Sequence, residues 1–119
     1  MLALVLTILL GLAACLGEGV WSGLAWAGDE LFVANTGANA ITVYGRTASG
    51  NVAPLRTLIG GATGLNQPIS VVADTVNNEL VVGNWGNNSI TVYSLAATGN
   101  TAPIRTLAGA ATGLTWQIQ

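Results

Sequence analysis

An all-β chain made of two tandem four-stranded antiparallel units is the fold class this sequence predicts, and three observations predict it. The first is a duplication: ELFVANTGANAITVY at residues 30–44 returns as ELVVGNWGNNSITVY at residues 79–93. Sliding the chain along itself by 49 residues pairs Asp29–Leu65 with Asn78–Leu114 without a gap, and 23 of the 37 positions are identical. The second is punctuation. Short runs of Val, Ile, Thr and Tyr, which suit a pleated surface, alternate with Gly- and Asn-rich gaps that tolerate turn geometry. The third is that apolar residues fall on both parities of a strand, as in Leu80-Val81-Val82. Since successive side chains point to opposite faces, each sheet is expected to be covered on both.

The first sixteen residues, MLALVLTILLGLAACL, are uncharged and rich in leucine. Their apolar core, Leu2 to Leu12, is short for a hydrocarbon layer of about 30 Å and fits the helical h-region of a secretory signal. Leu12-Ala13-Ala14-Cys15 closes the run and resembles the lipobox of bacterial lipoproteins. That resemblance implies cleavage before Cys15 and lipid on its sulfur and new amino group, which accounts for a lone cysteine with no disulfide partner. Residues 1–14 are therefore expected to be a signal peptide, and 15–22 a lipidated cysteine with a short linker. No Lys or Arg precedes the apolar run, whereas signal n-regions are normally positive. A start codon placed too late accounts for this, and an ordinary signal or an uncleaved anchor are the alternatives. The residue after Cys15 is Leu16; by the sorting habit of lipoproteins this implies the outer membrane or the periplasmic face of a bacterial envelope.

Residues 23–68 read as the first unit, 69–114 as the second, and 115–119 as the opening of a third. In the second unit the strands a to d are expected at Ile69–Asp74, Glu79–Asn84, Ser89–Ser94 and Pro103–Ala108. In the first unit strand a is expected at Gly23–Ala27, where GLAWAG lacks the Pro and the closing Asp of its counterpart. A four-stranded unit repeating near 49 residues, with sheets sandwiched by their neighbours, predicts β-propeller blades. The two units are then a partial propeller.

The run PISVVADTVNNELVVGNWGNNSITVY resembles the NHL-type blade and the related lactonase-like bacterial propellers. The matching features are Pro68 before strand a, Asp74 at its end, and NWGNNSI leading into strand c. The Gly-His and Trp-Asp marks of WD40 are missing. The double glycine of kelch is out of place, since Gly60-Gly61 follows strand d and becomes Gly109-Ala110 in the other copy. The resemblance spans about residues 23–119 and implies a propeller that binds or scaffolds. Its lactonase-like side implies an alternative, a hydrolase whose divalent cation sits in the central channel on Asn, Asp and Glu oxygens. Asn35 and Asn84 would be the candidates here, against the competing reading of a recurring turn asparagine.

Composition excludes more than it includes. The chain has no Lys and no His, only Arg46, Arg56 and Arg105 as cations, and a formal charge of −2. Nucleic acid as a partner is excluded by the lack of a basic surface. There is no histidine base, no serine in a nucleophile elbow, and no lysine in the Gly60–Gly64 stretch to make a phosphate loop. No catalytic residue and no cofactor is assigned, so a binding module is expected. Its ligand would be a protein, peptide or glycan.

With strands alternating in direction, the b–c loops and the d–a linker Thr63–Pro68 share one end of the units. The candidate ligand-binding residues there are Asn35, Thr36, Asn84 and Trp85; Trp85 stands where the first copy has Thr36, and the competing reading is packing between loops. At the opposite end Asp74 is expected to bond backbone amides of the a–b turn. Glu30 and Glu79 read as solvent-facing strand starts, and Arg56 and Arg105 as outward residues on strand d. Two units leave two apolar sheet faces bare. Further blades of the same propeller, or three chains closing a six-bladed ring by cyclic symmetry, are the partners expected to cover them.

Overall fold

The computed structural model describes residues 23–116. The expected signal helix over 1–14, Cys15 and the linker over 15–22 lie outside the described residues. Within them the chain is all-β. β1 (Leu24–Ala27), β2 (Glu30–Asn35), β3 (Ala40–Gly45) and β4 (Arg56–Ile59) form one antiparallel sheet in that order. β5 (Pro68–Asp74), β6 (Glu79–Asn84), β7 (Ser89–Ser94) and β8 (Arg105–Leu107) form the second.

The duplicated phrase supplies the middle pair of each sheet. β2 pairs β3 from Glu30↔Gly45 to Asn35↔Ala40, and β6 pairs β7 from Glu79↔Ser94 to Asn84↔Ser89. The loops after β2 and β6 turn back through Asn39 and Asn88, both left-handed at φ +53° and +51°, a conformation that Asn adopts more readily than most residues. The a–b turns differ. Gly28-Asp29 closes the first with Gly28 at φ +58°, whereas Thr75–Asn78 closes the second. This length difference is why the gap-free duplication begins only at Asp29. β8 is shorter than the expected Pro103–Ala108. Pro103 has no N–H to place in a ladder, and pairing with β7 starts at Val92↔Arg105.

Register dictates which faces meet. Phe32 opposes Val43, and Ile41 opposes Leu58, so these four side chains share one face of the first sheet. Val71 opposes Val82, and Leu80 opposes Tyr93, on one face of the second. All eight are buried in a single cluster, with β5 lying against β1 and β2. The core is thus the seam between two stacked sheets, and burial of these side chains at roughly 1.5–3 kcal/mol each is its main driving force. The expectation of cover on both faces is met in full at the seam and only in part beyond it, where Val92 on the other face of the second sheet is buried. Val72 and Leu107, on the other face of the second sheet, are 57% and 53% exposed, because two sheets can cover only one face each.

The seam is also stitched by polar groups. The outer edge of β4 is taken by the β7–β8 loop: Ile59 N–H donates to Gly99 O (3.0 Å) and Gly99 N–H donates to Thr57 O (2.7 Å). Beside them Asn100 Oδ1 accepts from Ala62 N–H at 2.8 Å. Gly60 sits so close to Asn100, at φ +134°, that no Cβ fits there. Deep in the seam Tyr93 Oη donates to the Thr63 carbonyl (2.6 Å) and lies 2.9 Å from Thr91 Oγ1. Thr91 Oγ1 in turn accepts from Asn84 Nδ2 (3.0 Å). Tyr93→Phe leaves a buried carbonyl in the seam without this donor and is expected to destabilise the chain by about 1–3 kcal/mol. Urea unfolding should show a lower midpoint at unchanged slope.

Candidate functional site

The four candidate residues lie at one end of the stacked sheets, where both b–c loops meet the linker Asn66-Gln67-Pro68. Asn84 is fully buried, its Oδ1 accepting from Asn66 N–H (3.0 Å) and its Nδ2 donating to Thr91. Gly86 N–H donates to Asn66 O, and Trp85 N–H donates to Gln67 O, both at 3.0 Å. From the other sheet Asn39 Oδ1 accepts from Gln67 N–H (2.7 Å) and Thr36 Oγ1 donates to Pro68 O (2.8 Å). Pro68 has no N–H. Every backbone polar group of the three-residue linker therefore has a partner, which holds Gln67 at φ +51° despite the strain that conformation carries.

Asn35 repeats part of the role of Asn84. Its Nδ2 donates to Thr42 Oγ1 (2.8 Å), the counterpart of Thr91. Both asparagines thus donate their side-chain amides to strand c, a cross-strand bond rather than the turn role their recurrence suggested. Thr36 is engaged by its hydroxyl. Trp85 alone of the four is bound only through its backbone, and the residue is 39% exposed. The geometry brings Thr36, Asn84 and Trp85 onto one linker, and leaves the indole as the group facing solvent. Among the described residues no cluster of three or more His, Cys, Asp or Glu could hold a metal ion.

The opposite end holds what sequence reasoning missed. Arg56 and Glu30 form a bidentate ion pair, Nη1 to Oε2 and Nη2 to Oε1 at 2.8 Å each. Arg56 Nη2 also donates to Leu95 O of the second sheet (2.6 Å), and the guanidinium carbon lies 5.6 Å from the Phe32 ring centroid. Neither is a solvent-facing residue: their side chains are 20% and 32% exposed. Arg105 and Glu79 repeat the bidentate pair, with Arg105 at 59% exposure. A signal existed in the sequence. Glu and Arg recur 26 residues apart in both copies, and the register places Glu30 and Arg56 on one face, straddling β3.

A groove of about 500 Å³ opens beside this pair, lined by Ala27, Glu30, Phe32, Arg56, Asn78 and Leu95 among others. Arg56 Nη1 and Nη2 are spent on Glu30 and Leu95 O, and its Nε is buried without a partner among the described residues, so the groove offers an incoming anion little. Hydrogen bonding from Arg56 holds the Glu30 carboxyl below its ordinary value, and Glu30 raises Arg56 in return. Asp74 is likewise lowered, first by the side chain of Asn77. Its Oδ1 accepts from the amides of Val76 (3.0 Å) and Asn77 (3.1 Å), so it organises the a–b turn as its position suggested.

No family model and no curated protein matches the chain. The geometry itself generates a pH dependence. A carboxyl lowered on folding contributes stability above its unfolded value, and loses it as the pH falls through its folded value. Thermal midpoints should therefore drop as the pH is taken below the ordinary glutamate value of 4.5. Glu30→Gln should lower the neutral-pH midpoint and flatten that acid slope, as read by circular dichroism melts across a pH series.

Proposed function

We propose that this chain is an exported binding module, built as two blades of an NHL-type β-propeller and tethered to a bacterial envelope by lipid at Cys15. The observation that carries the reading is the way two equivalent four-stranded meanders stack face to face through one core. That is the packing each blade of a propeller needs from its neighbour. The binding surface is the end where the b–c loops grip the linker. There a fully bonded backbone gives a rigid support, and Trp85 is the side chain that the support does not use.

The comparison between the copies sharpens this. Thr36 uses its hydroxyl to hold Pro68 O; Trp85 occupies the same position in the second unit and makes no such bond. Replacing a holding group by a partly exposed indole fits a contact with the face of a sugar ring or a planar peptide group. Trp85→Ala should weaken binding of soluble glycans or peptides identified by array screening roughly fivefold, corresponding to about 1 kcal/mol for an aromatic contact. The far-UV spectrum should be unchanged. Equal binding by both forms would remove Trp85 from the site.

The tether is tested separately. Expressed in a bacterial host fed radiolabelled palmitate, the wild-type chain should take up label in the membrane fraction and Cys15→Ser should not. Label that persists in the variant, or is missing from both, counts against lipid at this position.

A further inference from the structure

Several groups with which the first sheet holds the second have copies in the second sheet that face no neighbour among the described residues, whereas Asn88, the copy of Asn39, already accepts from Trp116 N–H at 3.3 Å. Leu58 is 2% exposed in the seam, whereas its copy Leu107 is 53% exposed. The β4 edge gives Ile59 N–H and Thr57 O to Gly99. The copies of those edge groups belong to Ala108 and Thr106, and all of β8 is exposed. Arg56 reaches across to Leu95 O. Its copy Arg105 makes the ion pair with Glu79 and is otherwise open to solvent.

The receiving half of the seam is duplicated too, on the other side of the molecule. Gly99-Asn100, which takes the β4 edge, is copied by Gly50-Asn51 in an exposed loop. Both glycines hold positive φ, +67° and +76°. Leu80, Val82 and Tyr93, which face the first sheet, are copied by Leu31, Val33 and Tyr44. The register places those three on the face of the first sheet that looks away from the core. Among the described residues the chain thus carries a largely uncovered donor face at one end and a largely uncovered acceptor face at the other. The two complement each other in the way the occupied pair already does.

We propose that a second copy of this chain docks its first sheet onto the outer face and β8 edge of the second sheet, head to tail. In that junction Ala108 N–H donates to Gly50 O of the second copy, Gly50 N–H donates to Thr106 O, and Asn51 Oδ1 accepts from Ala111 N–H. Tyr44 reaches the Thr112 carbonyl as Tyr93 reaches Thr63. Arg105 reaches the backbone oxygen of Arg46, which stands where Leu95 does. The contact is heterologous, so it propagates until the ring closes. With two sheets per chain, two to four copies fall within the roughly four to eight blades of known propellers. The inference rests on the blade reading above but not on the tether or on Trp85.

The test uses the full chain in mild detergent, with differently tagged copies, size-exclusion chromatography and light scattering. Ala108→Pro deletes the edge donor at an exposed position outside the ladder. Asn51→Trp puts an indole where the occupied seam leaves Gly60 no room even for a Cβ against Asn100. The wild type should run as a discrete oligomer, and each variant alone as a monomer with an unchanged far-UV spectrum. An equimolar mixture of the two variants should stop at a dimer holding one copy of each, because only one intact junction remains. A monomeric wild type with an intact spectrum overturns the docking and leaves the Trp85 and Cys15 tests standing. Oligomers that neither variant disturbs also overturn it, by assigning the association to the apolar leader. Should Ala108→Pro alter the spectrum, Asn51→Trp decides alone.

Discussion

The linker Asn66-Gln67-Pro68 is the constraint on which the rest of the structure depends. Two four-stranded sheets of this composition gain their stability only when one apolar face of each is removed from water. Covalent connection alone does not bring those faces together. The linker does so because each of its backbone polar groups is claimed by a b–c loop, two from the first sheet and three from the second. That pairing sets the distance and orientation at which Phe32 and Leu58 meet Val71 and Tyr93. The left-handed Gln67 is the local strain that this arrangement holds in place.

The strand plan was legible in the sequence because it rests on local chemistry repeated twice. Asn39 and Asn88 turn the chain where two asparagine-containing gaps stand, Asp74 caps its own turn, and β6 and β7 fall on the residues where valine and isoleucine cluster. What could not be read is the depth of burial, because depth is a property of the neighbour. Leu58 and Leu107 have the same residue before them and the same register against strand c, yet one is covered and the other is not. The Arg–Glu pairs were missed for a related reason. Each residue taken alone is a charge at a strand end, and only the antiparallel register, which sets strands two apart side by side around β3 or β7, brings the two together.

Among the candidate site residues the same distinction separates Asn84 from Trp85. Asn84 ends β6 and Trp85 opens the loop that follows, and sequence reasoning could only place them at one end of the sheet. Asn84 turns inward because two complementary groups wait for it, the Asn66 amide and the Thr91 hydroxyl. An unpaired amide buried there would cost about 1–3 kcal/mol. Trp85 has no such demand on its side chain. Its amide is bonded at the linker while the side chain is left partly exposed. The recurrence of Asn35 and Asn84 therefore reflects scaffolding, and the departure at Trp85 is where a property particular to this chain has room to lie.

A repeat whose copies share a sequence but differ in burial carries a further physical consequence. Leu, Val and Tyr recur at the copied positions whether or not a second sheet covers them among the described residues. Arg56 makes the point most directly. Its guanidinium satisfies Glu30 within its own sheet and Leu95 O in the next, and Arg105 retains the first bond while its reach toward a further sheet goes unused. A charged side chain at 59% exposure in an ion pair contributes little to stability by itself. It stands beside an exposed Leu107 and an exposed β8. The described fold is thus defined less by its two sheets taken singly than by the one seam between them.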